Sequence, residues 1–78
     1  MQLQTYRRAF LLGADNLRSQ PFNGVHVNCS VAGVAVLVMS DKSLLPVQLN
    51  VGANWWPYNV IGYTATGSSG TFTVYGLE

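Results

Sequence analysis

From Gly24 to Val31 the chain alternates without a break, with Val25, Val27, Cys29 and Val31 on one side and His26, Asn28 and Ser30 on the other. A period of two belongs to a β-strand with one buried and one wet face. Ala32-Gly33 then reads as a tight turn. Val34 to Met39 is apolar at every position, the pattern of a central strand covered on both sides, and in so short a chain the second cover is expected from another subunit. Ser40-Asp41-Lys42-Ser43 is polar and suits a hairpin tip. The chain returns through Leu44 to Leu49 with Leu45, Val47 and Leu49 inward. Pro46 cannot donate to a ladder, which predicts an edge strand or an unpaired side at that residue.

Asn50 to Asn54 reads as a loop. From Trp55 to Tyr63, alternation puts Trp56, Tyr58 and Val60 on one face and Trp55, Ile61 and Tyr63 on the other, so both faces want cover. Thr64 to Gly70 reads as a loop, and Thr71 to Glu78 as a last strand that ties the C-terminal end into a sheet. At the other end, Gln4 to Leu12 reads as a strand, although Tyr6, Phe10 and Leu17 also fit one helical face. The strand is preferred because Gly13, Asp15 and Asn16 look like a turn. The sum is an all-β chain, a small antiparallel β-sandwich or barrel of about six strands. It forms a single domain over residues 1–78, with a charged N-terminal segment at 1–20 and a β body at 24–78.

Composition sharpens this picture. With 78 residues the core is thin, and 49% of residues are hydrophobic while only 9% are charged, against a usual charged share of about 25%. Such a surface calls for neighbours. Three of the four basic residues, Arg7, Arg8 and Arg18, lie in the first quarter, too few and too scattered for a nucleic-acid footprint. The apolar stretch Ala9 to Leu12 falls short of a secretory core. The run from Val31 to Met39 is far below the ~20 residues of a membrane span. No nucleic acid, membrane or cofactor is expected as a partner.

Candidate chemistry is sparse. His26 and Cys29 are three residues apart on one strand and therefore point to opposite faces, which disfavours a nucleophile and base pair. With Asp41 they are all that an enzymatic reading has to use, and no catalytic residue is assigned. One histidine and one cysteine give no metal-ligand pattern. Gly67-Ser68-Ser69-Gly70 lacks the Lys-Ser/Thr continuation of a phosphate loop and precedes a strand rather than a helix, so it reads as a turn. The aromatic cluster Trp55, Trp56 and Tyr58 is the most informative feature, because such side chains fill cores, anchor protein interfaces or stack on sugars.

Several stretches together carry a resemblance: Ala35 to Ser43, Leu45-Pro46-Val47, Trp56-Pro57-Tyr58 before Ile61, and Thr64-Ala65-Thr66-Gly67-Ser68-Ser69-Gly70 running into Val74-Tyr75-Gly76-Leu77. Over roughly Val25 to Leu77 the chain resembles the small virion proteins of tailed phages and phage-like gene transfer agents, of the head-spike base or capsid-decoration kind. The resemblance implies a β-sandwich without catalytic residues, located on the capsid surface of a virion. Its partners would be copies of itself, as a trimer or pentamer, and the major capsid protein or a spike protein. The expected interface anchors are Tyr6, Phe22, Trp55, Trp56, Tyr58 and Tyr63, with Arg7, Arg8 and Arg18 reaching acidic groups on the capsid. The alternative is a carbohydrate-binding module in which Trp55, Trp56 and Tyr58 stack on sugars while Asn54 and Asn59 bond hydroxyls.

Overall fold

The computed structural model describes residues 6–78 and contains seven strands and no helix among them: β1 (Ala9–Leu12), β2 (Gly24–Val31), β3 (Gly33–Met39), β4 (Leu44–Leu49), β5 (Gly52–Trp56), β6 (Val60–Thr64) and β7 (Thr71–Leu77). They form two antiparallel sheets, one of four strands in the order β1-β7-β2-β5 and one of three in the order β4-β3-β6. The sheets are the two layers of a sandwich. The inward residues of β2, Val25, Val27 and Cys29, meet Ala35 and Leu37 of β3, Leu49, Val60 and Val74 in one buried cluster. The alternation in β2 thus becomes the core as far as Cys29; a bulge between Cys29 and Val31 then breaks the period, and Val31, expected on the inner face, is 56% exposed.

The chain passes from one sheet to the other at four of its six connections, and Ala32 alone separates β2 from β3. That corner requires glycine. A Cβ on Gly33 would stand 2.3 Å from the carbonyl oxygen of Ser69, and one on Gly70, which has φ 86°, 2.4 Å from that of Val31. Two backbones therefore touch where β2 bends into β3. The β3-β4 hairpin is held by the Met39 amide on Ser43 and the Lys42 amide on Met39, both 2.8 Å, with Lys42 at φ 71°. Asp41 Oδ1 accepts from the Ser43 amide at 3.0 Å and its hydroxyl at 2.5 Å, and these bonds hold the Asp41 carboxyl below its ordinary range.

Pro46 lies on the edge strand β4, opposite Val36. The Val36 amide turns away from β4 to donate to Ser68 Oγ at 3.0 Å, so this is a non-hydrogen-bonded pair and the proline nitrogen faces the open edge, where no donor is missed.

Four further expectations are corrected. The first strand begins at Ala9, with Gln4 and Thr5 outside the described residues. The presumed loop at 50–54 is partly strand, since β5 starts at Gly52, and Trp55 to Tyr63 is two strands in different sheets, broken at Pro57. The outer face of β3 is covered by the chain itself. Leu17 lies on Gly62, the ladder neighbour of Val38, and Gly67 lies against Val36, leaving Val36 and Val38 only 7% and 4% exposed.

Candidate interaction surface

The N-terminal segment builds the difference between the two sheets. Amides of Asp15, Arg18 and Phe22 donate to the carbonyls of Tyr63, Ile61 and Val60, so residues 15–22 close the free edge of β6. On the way, Leu17 covers the outside of the three-stranded sheet and Phe22 enters the core. The four-stranded sheet has no comparable cover among the described residues beyond Tyr6, which lies across Gly24.

Its outward positions follow from register. Leu11 stands opposite Tyr75, Tyr75 opposite His26, and His26 opposite Trp55, making one row across all four strands. Leu11 is 69% exposed and Trp55 47%. The rings of His26 and Tyr75 are 6.2 Å apart, and Tyr6 meets Trp55 edge-on at 6.1 Å. On the polar side of this row stand Thr73, Asn28 and Ala53, themselves register partners. No Asp, Glu, Lys or Arg occupies an outward position on these four strands.

The residues expected at an interface separate into groups. Tyr6 and Trp55 lie on the outward face. Arg7 and Arg8 are exposed, their amides held by the Glu78 carbonyl. Phe22 is not an interface residue of this chain: it is 1% exposed, packed where Gly76 leaves room for its ring. Arg18 does not reach outward either. Its guanidinium lies 4.1 Å from the centre of the Phe22 ring and binds the Glu78 carboxylate at 2.7 Å, satisfying its charge inside the chain. Trp56, Tyr58 and Tyr63 pack against the core, Trp56 and Tyr58 nearly parallel at 6.2 Å and Tyr63 edge-on to Phe72 at 5.6 Å. Pro57 explains the difference: by ending β5 it sends Trp56 and Val60 inward from opposite sheets.

Sequence reasoning placed His26 on the wet face of its strand but did not join it with Leu11 and Tyr75 in one surface. Each stands on the non-core side of its strand, but only the cross-strand register aligns them.

The amides proposed for sugar hydroxyls are already engaged. Asn54 Nδ2 donates to the carbonyls of Asn50 at 2.8 Å and Gly52 at 3.3 Å, and its Oδ1 accepts from the Asn50 amide at 3.2 Å. Asn59 Nδ2 donates to the Phe22 carbonyl at 3.0 Å. Elsewhere, a cleft of about 320 Å³ opens beside Tyr63, Ser68, Ser69, Thr71 and Phe72. Its serine hydroxyls serve the backbone: Ser68 Oγ donates to the Thr64 carbonyl, and Ser69 Oγ accepts from the Val34 amide.

His26 faces outward while Cys29 is buried, its thiol donating to the Val31 carbonyl at 3.1 Å, so the odd offset does separate them. Among the described residues, no three of His, Cys, Asp and Glu come together as a metal site, and no helix is long and apolar enough to cross a membrane. No family model, curated protein or solved structure matches the chain.

Proposed function

We propose that the protein is a structural subunit that works by covering surface: a homo-oligomeric component of a tailed-phage virion, on the capsid surface, which decorates or cements the capsid or forms the base of a head spike. The observation that carries this reading is the uncharged row Leu11, Tyr75, His26 and Trp55 on a sheet face that, among the described residues, only Tyr6 overlies. Aromatic groups with a polar tip are the side chains that anchor protein interfaces. The outward positions of the four-stranded face carry no Asp, Glu, Lys or Arg that could converge on a small substrate. Arg7 and Arg8 supply exposed charge to meet acidic groups on the major capsid protein or a spike protein.

The test is the native mass of the full chain by light scattering on a sizing column, across a dilution series. A discrete oligomer is expected. A monomer at every concentration overturns this reading, and quenching of its tryptophan emission by added glycans would favour sugar binding in its place.

A further inference from the structure

We propose that the partner of the four-stranded face is a second copy of the same face, in a two-fold pair that His26 makes sensitive to acid. This rests on the assembly reading above and names its unit: a dimer, in place of the trimer or pentamer expected from the sequence.

Three observations support it. The first is area. Four strands about 4.8 Å apart, of 4, 7, 8 and 5 residues at ~3.3 Å per residue, make a face of roughly 400 Å² in projection. Two such faces together remove on the order of 1,000 Å² from water, just under the ~1,200 Å² at which stable specific interfaces begin and within the range of weak ones. The pair is therefore expected to be real but concentration-dependent.

The second is charge. The outward positions carry no Asp, Glu, Lys or Arg, so a second copy meets the face without repulsion, whereas a strongly charged partner would find no counter-charge on it.

The third is the order of the row. A two-fold axis running between the faces, parallel to the strands, reverses the row of the opposing copy. Leu11 then meets Trp55 and Tyr75 meets His26, so the small end of the row faces the large end. The other in-plane axis sets Trp55 on Trp55 and His26 on His26, a poorer fit of size.

In this pair each His26 is removed from water. The groups that face it within its own chain are the Tyr75 phenol from β7 and the Trp55 indole from β5, with the Tyr6 phenol beyond Trp55. No carboxylate is among them. The lone ion pair among the described residues, Arg18 with Glu78, lies elsewhere. A protonated imidazole would thus be buried without a counter-charge, and histidine is the side chain that changes charge between pH 5 and 8. Association is favoured with the ring neutral and lost as it is protonated.

The experiment is light scattering of the full chain in dilution series at pH 8.0 and pH 5.5, on the parent protein and on Trp55→Ser, Leu11→Arg and His26→Gln. Thermal melts check that each variant remains folded. We expect a dimer at pH 8.0 whose dissociation constant rises at least tenfold at pH 5.5. Trp55→Ser and Leu11→Arg should be monomeric at both pH values, and His26→Gln dimeric at both. A trimer or pentamer overturns the two-fold pair and leaves the assembly reading standing, while a monomer throughout overturns both. A dimer indifferent to pH, or one that tolerates both Trp55→Ser and Leu11→Arg, overturns the assignment to this face.

Discussion

The two sheets share one core and differ in what lies outside them. On the three-stranded sheet, the valines at 36 and 38 point outward yet are buried, because Leu17 and the 65–69 turn fold over them. On the four-stranded sheet, Leu11 and Trp55 also point outward and stay in water. An all-apolar strand such as β3 therefore does not by itself announce a partner, since a short chain can supply the second cover from its own connections. The row from Leu11 to Trp55 is a different case, because no described segment other than Tyr6 lies over that sheet.

The largest effects should come from breaking the corner that holds the self-made cover. Gly33→Ala drives a Cβ into the Ser69 backbone, which cannot move without releasing the 65–69 turn. A loss of about 3 kcal/mol in chemical denaturation is expected. Phe22→Ala should cost a similar ~3–4 kcal/mol, as a buried aromatic leaves a cavity and strands Arg18. Its oligomeric mass should nevertheless match the parent's under conditions where it is folded, because Phe22 takes no part in the outward face.

How much of this was legible follows from where each signal resides. Strict alternation made β2 plain as far as Cys29, and a polar break made the β3-β4 hairpin plain, because both signals lie within a few neighbouring residues; the bulge that turns Val31 outward leaves no such local mark. Pro46 marked an edge because it lacks a donor. The sequence misread Trp55 to Tyr63 as one strand because alternation continues across Pro57, although the chain there changes sheets. Phe22 and Arg18 were assigned outward because nothing local reveals that Gly76, more than fifty residues away, leaves a space the Phe22 ring fills. The outward row was invisible for the same reason: register is a property of pairs of strands.

Smaller effects sharpen the contrast between the faces. Leu17→Ala should cost about 1 kcal/mol, a modest figure for a side chain 47% exposed, and should speed amide exchange in β6 by uncovering Gly62. Trp55→Ser should change monomer stability by less than about 1 kcal/mol while abolishing association, the reverse of Phe22→Ala.

Asp41 should show the least. Its carboxyl is held below the ordinary value of 3.8 by the Ser43 hydroxyl and amide, so what it contributes is fully present above that pH and fades as pH falls through the lowered value. Because the group is fully exposed, Asp41→Asn should leave the melting temperature at pH 7 nearly unchanged and only flatten its decline in strong acid.

The central claim, that the four-stranded face is covered when the protein works, is tested most directly by the fluorescence of Trp55 alone. In a Trp56→Phe background the single remaining indole reports on that face. The account predicts that its emission shifts to shorter wavelength as protein concentration rises, in step with the mass measured by scattering. An emission that stays at the long-wavelength, water-exposed position while the mass grows would place the contact elsewhere and contradict it.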